Sequence, residues 1–415
     1  MRTHRVDWYH HLPQYVKEIL ETLHTAGHEA YVVGGAVRDL WLGLQPKDFD
    51  VVSGATPDEV EKLFTRTEGV GRQFGIMIVI TDAGPVEVAR FRADAEYKDG
   101  RHPTGVVFSS PEEDAKRRDF TINGLFYDPK KGEVIDYVEG IQDLEAKLIR
   151  CVGDPEVRFQ EDSLRMLRAV RFHSQLAARG FSLDSELVQS VQKLAPRLAL
   201  VSRERVTQEI EKIFLSPQPS VGLFDLVLCA LWQQVFRCPL PNAAVHSNFD
   251  VLGETYLLFS SRPAALPLFV SAAERWLSGW PADSFVLTKD AKAAMKAVPS
   301  LCEKLLRYTS LFRAEKKLLL SEEFIFEALT ILEVEGDEEV QAMIDEAEAN
   351  RKTWADAKTL NPPPLVNGQD LISLGIKPGP EMKVHLDAVR AAQLGEEINT
   401  KAEALALVKK KLGLP

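Results

Sequence analysis

The sequence predicts an α/β head followed by an elongated, all-helical remainder. Two observations carry this. Up to about Ile149, short apolar runs alternate with helical stretches, the pattern of a mixed α/β layer. After Cys151 the strand signals fade and apolar residues recur at helical spacing over 160–176, 185–194 and 202–214. With 415 residues the chain is too long for a single core, and about two to four domains are expected.

Taken in order, residues 30–33, 49–52, 75–80, 86–89 and 125–127 read as strands, with a helix at 57–64 between them. Ser202 reads as the N-cap of its helix, and Pro217 and Pro219 follow that helix. Leu and Ala dominate 221–350, which reads as mainly helical. Asn361-Pro362-Pro363-Pro364 reads as a stiff linker before a last segment, 367–414, that ends in an Ala/Lys-rich helix. No internal repeat or low-complexity tract is present.

Composition narrows the function. A net charge of −11 argues against indiscriminate coating of nucleic acid, though local basic patches remain able to hold a defined RNA. No apolar run approaches the ~20 residues that span a bilayer. No apolar signal core opens the chain, and Cys151, Cys229, Cys238 and Cys302 lack zinc spacing, so reduced thiols and a cytoplasmic location are expected. The histidines include one HxxxH spacing, His24 and His28, but no His-Asp dipeptide; no GxSxG occurs, and the glycines of Gly69-Val70-Gly71 are misplaced for a dinucleotide loop.

The stretch from Tyr31 to Ser53 reads as strand, glycine turn, short helix, strand. Asp48 and Asp50 are placed on that second strand; side chains alternate along a strand, so both point the same way and can grip a divalent metal. Gly34 and Gly35 let backbone N–H groups approach an anion at the helix start. A lone DxD or a lone Gly-Gly is ordinarily a surface pair or a turn. Their combination here points to nucleotidyl transfer from a nucleoside triphosphate.

Three further clusters fit that chemistry. Arg117 and Arg118 suit a triphosphate, because guanidinium groups fork onto phosphate oxygens. Asp119 and Asn123 can hydrogen-bond ribose hydroxyls. Glu161, Arg165 and Arg168 share one face of a predicted helix, at i, i+4 and i+7. Cytosine and adenine each present an amino donor beside a ring-nitrogen acceptor, and the carboxylate and guanidinium of Asp162 and Arg165 offer the complement. Uracil and guanine present the reverse order and would leave polar groups unpaired, at ~1–3 kcal/mol each. Residues 87–103 read as a mobile loop after a strand.

Together these elements resemble the class II tRNA nucleotidyltransferase/poly(A) polymerase family of polymerase-β-like nucleotidyltransferases. The motifs run in order: Gly34-Gly35…Arg38-Asp39…Asp48-Phe49-Asp50; Arg117 to Asn123; Asp136…Gly140…Asp143-Leu144…Arg150; Glu161-Asp162…Arg165; and Ser202 to Glu209. The resemblance implies a seahorse-like arrangement of catalytic head (1–149), neck for base recognition (150–216), RNA-binding body (217–352) and tRNA-binding tail (353–415). It implies two Mg²⁺ ions on Asp48 and Asp50, Arg38, Arg117 and Arg118 on the triphosphate, and base choice by Glu161, Asp162, Arg165 and Arg168. The partners implied are the acceptor arm and 3′ end of tRNA, with CTP and ATP as substrates and no membrane.

Three activities share that scaffold: full CCA addition, split CC or A addition, and poly(A) synthesis. Arg92, Asp94 and Arg101 are similar to an intact flexible loop, which CC-adding forms lack. Gly71-Arg72-Gln73-Phe74-Gly75 is similar to the GxxFG of CCA enzymes, and the tail from Asn367 to Leu394 resembles theirs. Full CCA addition is favoured, with A-only addition the alternative and poly(A) synthesis behind it.

Overall fold

The computed structural model describes residues 1–94, 106–237, 286 and 289–412, and the chain divides into two compact units. The described residues of the first unit are 1–94, 106–237 and 286, and those of the second are 289–412. Among the described residues no helix is long and apolar enough to cross a membrane.

The first unit opens with a mixed sheet. Its strands are β1 (Arg2–Arg5), β2 (Ala30–Val33), β3 (Asp50–Ser53), β4 (Thr67–Gly71), β5 (Ile76–Thr81) and β6 (Gly84–Arg90). A separate ribbon pairs β7 (Arg92–Asp94) with β8 (Val106–Phe108), and β9 (Leu125–Asp128) and β10 (Glu133–Asp136) complete the large sheet. Its order is β1-β10-β9-β2-β3-β6-β5-β4, antiparallel throughout except for the parallel pair β3 and β6. β2 and β9 are buried along their whole length, as central strands with both faces covered should be.

Around the sheet lie α1 (Gln14–Thr25), α2 (Gly35–Trp41), α3 (Pro57–Leu63), α4 (Pro111–Lys116) and α5 (Gly140–Ala146). Local chemistry sets several starts. Thr56 and Glu59 close a capping box on α3, with Pro57 in the first turn. Ser110 caps α4, and its side chain accepts from the Glu113 N–H at 3.3 Å. Asp136 accepts from the N–H groups of Val138, Gly140 and Ile141 and so fixes the start of α5.

After α5, β11 (Leu148–Ile149) pairs in parallel with β12 (Ser182–Leu183), across the expected boundary at residue 149. The helices that follow are α6 (Pro155–Glu161), α7 (Arg165–Leu176), α8 (Ser185–Leu194), α9 (Arg203–Phe214), α10 (Pro219–Leu228) and α11 (Trp232–Phe236). Ser202 stands at the N-cap of α9 but makes no side-chain capping bond there. Pro219 does not trail the preceding helix; it opens α10, where its missing N–H costs nothing.

The single helix expected over 160–176 is two. α6 ends at Glu161, and Asp162 takes an extended conformation (φ −144°, ψ 104°), its carboxylate accepting from the Leu164 N–H at 3.1 Å. Asx side chains compete with the helix for backbone donors in this way.

The second unit is helical among its described residues: Lys289–Leu305, Arg313–Leu320, Ile325–Glu335, Glu338–Asp356, Gly368–Ser373, Pro380–Leu394 and Lys401–Leu412. Its Val366, Leu371, Met382, Val389, Ala404 and Val408 belong to one apolar cluster. The expected boundary at 352/353 falls inside the helix Glu338–Asp356. The proline segment is pinned rather than free: Arg390 donates to the Pro362 carbonyl at 2.7 Å, and Gln393 to that of Pro363 at 2.8 Å.

Gly140 carries one clear packing prediction. A Cβ there would lie 2.2 Å from the Thr121 carbonyl oxygen. Thr121 is also held by Asp143, which accepts from its hydroxyl at 2.6 Å, and by the Arg150 carbonyl, which accepts from its N–H at 3.0 Å. The segment 136–150 therefore clamps the turn that follows Arg118. The variant Gly140→Ala should lose about 1–3 kcal/mol, several degrees in a thermal melt, because backbone has to move. An unchanged melt would show that the clamp yields without cost.

Candidate active site

One cavity of about 360 Å³ in the first unit gathers half of the expected residues; Asp48 and Glu161 are among those not on its wall. Asp50, Glu87, Arg92, Arg117, Arg118, Asp119, Asp162, Arg165, Arg168 and Arg205 all line it. Polar groups converging in a concave site are the usual mark of a binding pocket.

The carboxylates come from adjacent strands. Asp48 lies in the extended segment just before β3 rather than on it, yet the alternation survives: Asp48 and Asp50 are exposed, and Phe49 between them is buried. Parallel pairing aligns Val51 of β3 with Val88 of β6, which puts Glu87 alongside Asp50. Asp50 meets the water of the cavity while protein surrounds it. That burial raises its pKa, Asp48 adds to the rise, and Arg118 opposes it. Glu87 is raised for the same reasons, burial first and Asp50 second. Among the described residues no three acidic, His or Cys side chains form a metal cage. Paired carboxylates with an open remainder suit a hard divalent cation that keeps water and takes substrate oxygens.

The arginines are braced by a residue the sequence reading missed. Asp114, fully buried on α4, accepts from Arg117 at 2.6 and 3.0 Å and from Arg118 at 3.1 and 3.2 Å. It also accepts from the Arg92 backbone N–H at 3.3 Å. Burial alone would raise its pKa, but Arg118 and Arg117 outweigh burial and hold the carboxyl below its usual range. The spacing Asp114…Arg117-Arg118, at i+3 and i+4, is the signal that could have found it.

Gly34, Gly35, Arg38 and Asn123 stand behind the cavity rather than on its wall. Gly34 has φ 70°, which only glycine takes without strain, and a Cβ would sit 3.2 Å from Arg118 Nη1. Arg38 donates to Asp39 at 2.7 Å and to Asn123 Oδ1 at 2.9 Å, with its guanidinium over the Phe172 ring. Asp119 lines the cavity, but its carboxylate already accepts from Arg168 Nε at 2.7 Å and from the Phe120 N–H at 2.9 Å.

The pair expected to read bases is not paired with itself. Arg165 donates to Glu161 at 2.6 Å and to the Arg117 carbonyl at 3.1 Å. Asp162 is instead held by Arg205 of α9, at 2.8 and 3.3 Å. Both Asp162 and Arg165 still line the cavity.

The loop expected over 87–103 begins later than its composition suggested. Glu87 lies in β6, and Arg92 and Asp94 lie in β7, where backbone pairing with β8 orders them. Arg92 Nη1 donates to the Phe74 carbonyl at 3.0 Å, which ties this ribbon to the Gly71–Gly75 turn. Arg101 lies outside the described residues.

Asp119 supplies a pH prediction. Burial works against its charge, but Arg168 and the hydrogen bonds prevail and lower its pKa to about 2. A depressed carboxylate stabilises the fold fully above its unfolded value near 4, and that stability is lost as pH falls through the folded value. In urea titrations, wild type should exceed Arg168→Met by about 2 kcal/mol at neutral pH, and the gap should close toward pH 2. A gap that ignores pH would assign the stability elsewhere.

Comparisons with known proteins find relatives along nearly the whole chain. A family profile described as "Poly A polymerase head domain" matches residues 30–150. One for an RNA-binding segment of polymerase A matches 180–244, and one for tRNA nucleotidyltransferase domain 2 matches 265–408. The chain is 37% identical over 398 residues to the CCA-adding enzyme of Bacillus pumilus, covering 93% of this chain and 94% of that one. It is 39% identical over 308 residues to that of Bacillus subtilis, covering 73% of this chain and 75% of the other. The solved CCA-adding enzyme of Bacillus stearothermophilus in complex with CTP is similar at a TM-score of 0.75 and 28% identity, over 96% of this chain and 98% of that one. The Thermotoga maritima CCA-adding enzyme complexed with tRNA, at 19% identity and a TM-score of 0.67 over 99% of this chain and all of that one, shares the fold. With the ordered motifs, the matched family profiles and relatives aligned almost end to end, the chain belongs to the class II tRNA nucleotidyltransferase family, among the CCA-adding enzymes.

Proposed function

We propose that the protein rebuilds the 3′ end of tRNA, adding C, C and A from CTP and ATP without a nucleic-acid template and releasing pyrophosphate at each step. The observation that carries this reading is the single cavity that holds Asp50, the braced arginines Arg117 and Arg118, and the base-reading candidates Asp162 and Arg165. Nucleotidyltransferases of this family depend on a divalent metal; we assign two Mg²⁺ ions, with Asp48 and Asp50 as their protein ligands. When bound, they would favour the ionised 3′-hydroxyl and offset charge on the departing pyrophosphate.

The residues divide the remaining work. Arg117 and Arg118 bind the triphosphate with the N–H groups that Asp114 leaves open. Asp119 faces the ribose from the cavity wall, with Asn123 and Arg38 behind it. Asp162 accepts the amino group shared by C and A, and Arg165, set by Glu161, donates to the ring nitrogen. The new bond joins the tRNA 3′-oxygen to the α-phosphorus, and the α–β bridging bond breaks. The head (1–149) and neck (150–216) supply this chemistry. The body (217–352) and tail (353–415) hold the tRNA acceptor arm, and the cytoplasm is the compartment of the work.

The test uses tRNA transcripts ending before CCA, after C and after CC, each with CTP or ATP alone and with both. Full CCA on the first transcript supports the proposal. A single A added only to the CC-ended transcript would make the protein an A-adding specialist, and long A tails on any RNA would make it a poly(A) polymerase.

A further inference from the structure

We propose that Arg205 is the positioning residue that sets base choice, by holding Asp162 with one acceptor position left for one amino group. The inference rests on the nucleotidyl-transfer reading of the cavity and adds a residue to it.

Asp162 occupies the break between α6 and α7, where no helix fixes its side chain. Its placement depends on three donors. Oδ1 accepts from the Leu164 N–H at 3.1 Å and from Arg205 Nη1 at 3.3 Å, and Oδ2 accepts from Arg205 Nη2 at 2.8 Å. A carboxylate oxygen has about two acceptor sites. Oδ1 is therefore filled, and Oδ2 keeps one lone pair. An exocyclic amino group of cytosine or adenine supplies one N–H to it. The carbonyl that uracil or guanine places there brings a second acceptor and no donor.

Arg205 is held on a fixed platform. Glu209, one turn later on α9, accepts from Arg171 of α7 at 2.7 Å. Arg203, one turn-half earlier, donates to the Gln234 and Val235 carbonyls at 3.1 and 2.6 Å. α9 is thus tied to α7 and to the end of α11, and the fork of Arg205 fixes both oxygens of Asp162 at once. Planar bidentate geometry orients a carboxylate in a way a point charge does not.

The experiment compares wild type, Arg205→Ala and Arg205→Lys. On a tRNA transcript lacking CCA, kcat/KM is measured for CTP, ATP, UTP and GTP separately, beside thermal melts. For Arg205→Ala, the preference for CTP over UTP should fall by about ten- to a hundredfold. Arg205→Lys, which can reach one oxygen, should fall between it and wild type. A parallel loss for all four nucleotides, or an unchanged preference, would overturn the proposal and leave Arg205 a structural residue. Should Arg205→Ala not fold, Arg205→Lys and Arg205→Gln carry the same comparison. Calorimetric binding of CTP and UTP needs no tRNA. It reads the preference separately, so a wild type that fails to extend tRNA would count against the function and not against Arg205.

Discussion

Replacing Asp50 by Asn should abolish nucleotide transfer while leaving the fold as stable as before, or more so. The carboxylate ends the alternating Asp48-Phe49-Asp50 segment and lines the cavity. If Asp50 holds metal as proposed, losing its charge should cost ~4 kcal/mol of transition-state stabilisation, about a thousandfold in rate. Stability should move the other way. Burial, then Asp48, raises the Asp50 pKa against the pull of Arg118. A carboxyl raised in the folded state costs stability whenever it is ionised, and relief comes only as pH falls through its folded value. Asn removes that cost at every pH. Loss of activity with a melt equal to or above wild type is the expected pair of results. Retained transfer would remove Asp50 from the metal set, and a collapsed melt would make its role structural.

Asp114→Asn should show the opposite balance. Its carboxylate takes four guanidinium N–H contacts from Arg117 and Arg118 while buried completely. Its pKa is lowered because the two arginines outweigh burial, so the ionised form stabilises the fold at neutral pH. Removing one partner of a buried pair costs roughly 3–5 kcal/mol, since the other charges stay behind uncompensated. The melt should drop sharply, and KM for CTP and ATP should rise as the arginines lose their fixed directions. Choice among bases should change less than KM, because Arg165 meets Arg117 at its backbone carbonyl and Asp162 is held by Arg205. A normal KM in a destabilised variant would show that the triphosphate arginines hold their places without Asp114.

What the sequence made legible was local. The period-2 alternation around Phe49 survives although Asp48 precedes the strand, and 30–33 and 185–194 match β2 and α8. What stayed hidden depends on distant partners. Glu87 falls in both an expected strand and an expected loop, and its place alongside Asp50 emerges only when β6 pairs beside β3. Asp114 drew no reading at all, because its role as a brace comes from tertiary burial. Asp162 and Arg165 read as one template, and both line the cavity, but the side chain that holds Asp162 is Arg205, on another helix. The break at Asp162 is set by a side chain competing for backbone donors, which apolar periodicity does not register. The polar stretches Arg2–Arg5 and Thr67–Gly71 have no alternation to betray them as strands.

Those two stretches are the borders of the sheet. β4 closes one border with an irregular register between Glu68 and Gly71, and such bulges discourage a stray strand from adding on. The other border is closed by β1, whose Arg2 pairs with Asp136. On the ribosome the first strand is made early but its mate is the last strand of the sheet to emerge, so β1 waits until the rest of the sheet has been made before it can dock. Until then β10 presents an unsatisfied edge. The four residues Arg2–Arg5 thus serve as the seal against self-association in the newborn chain, and a fusion placed ahead of them bears on solubility before it bears on catalysis.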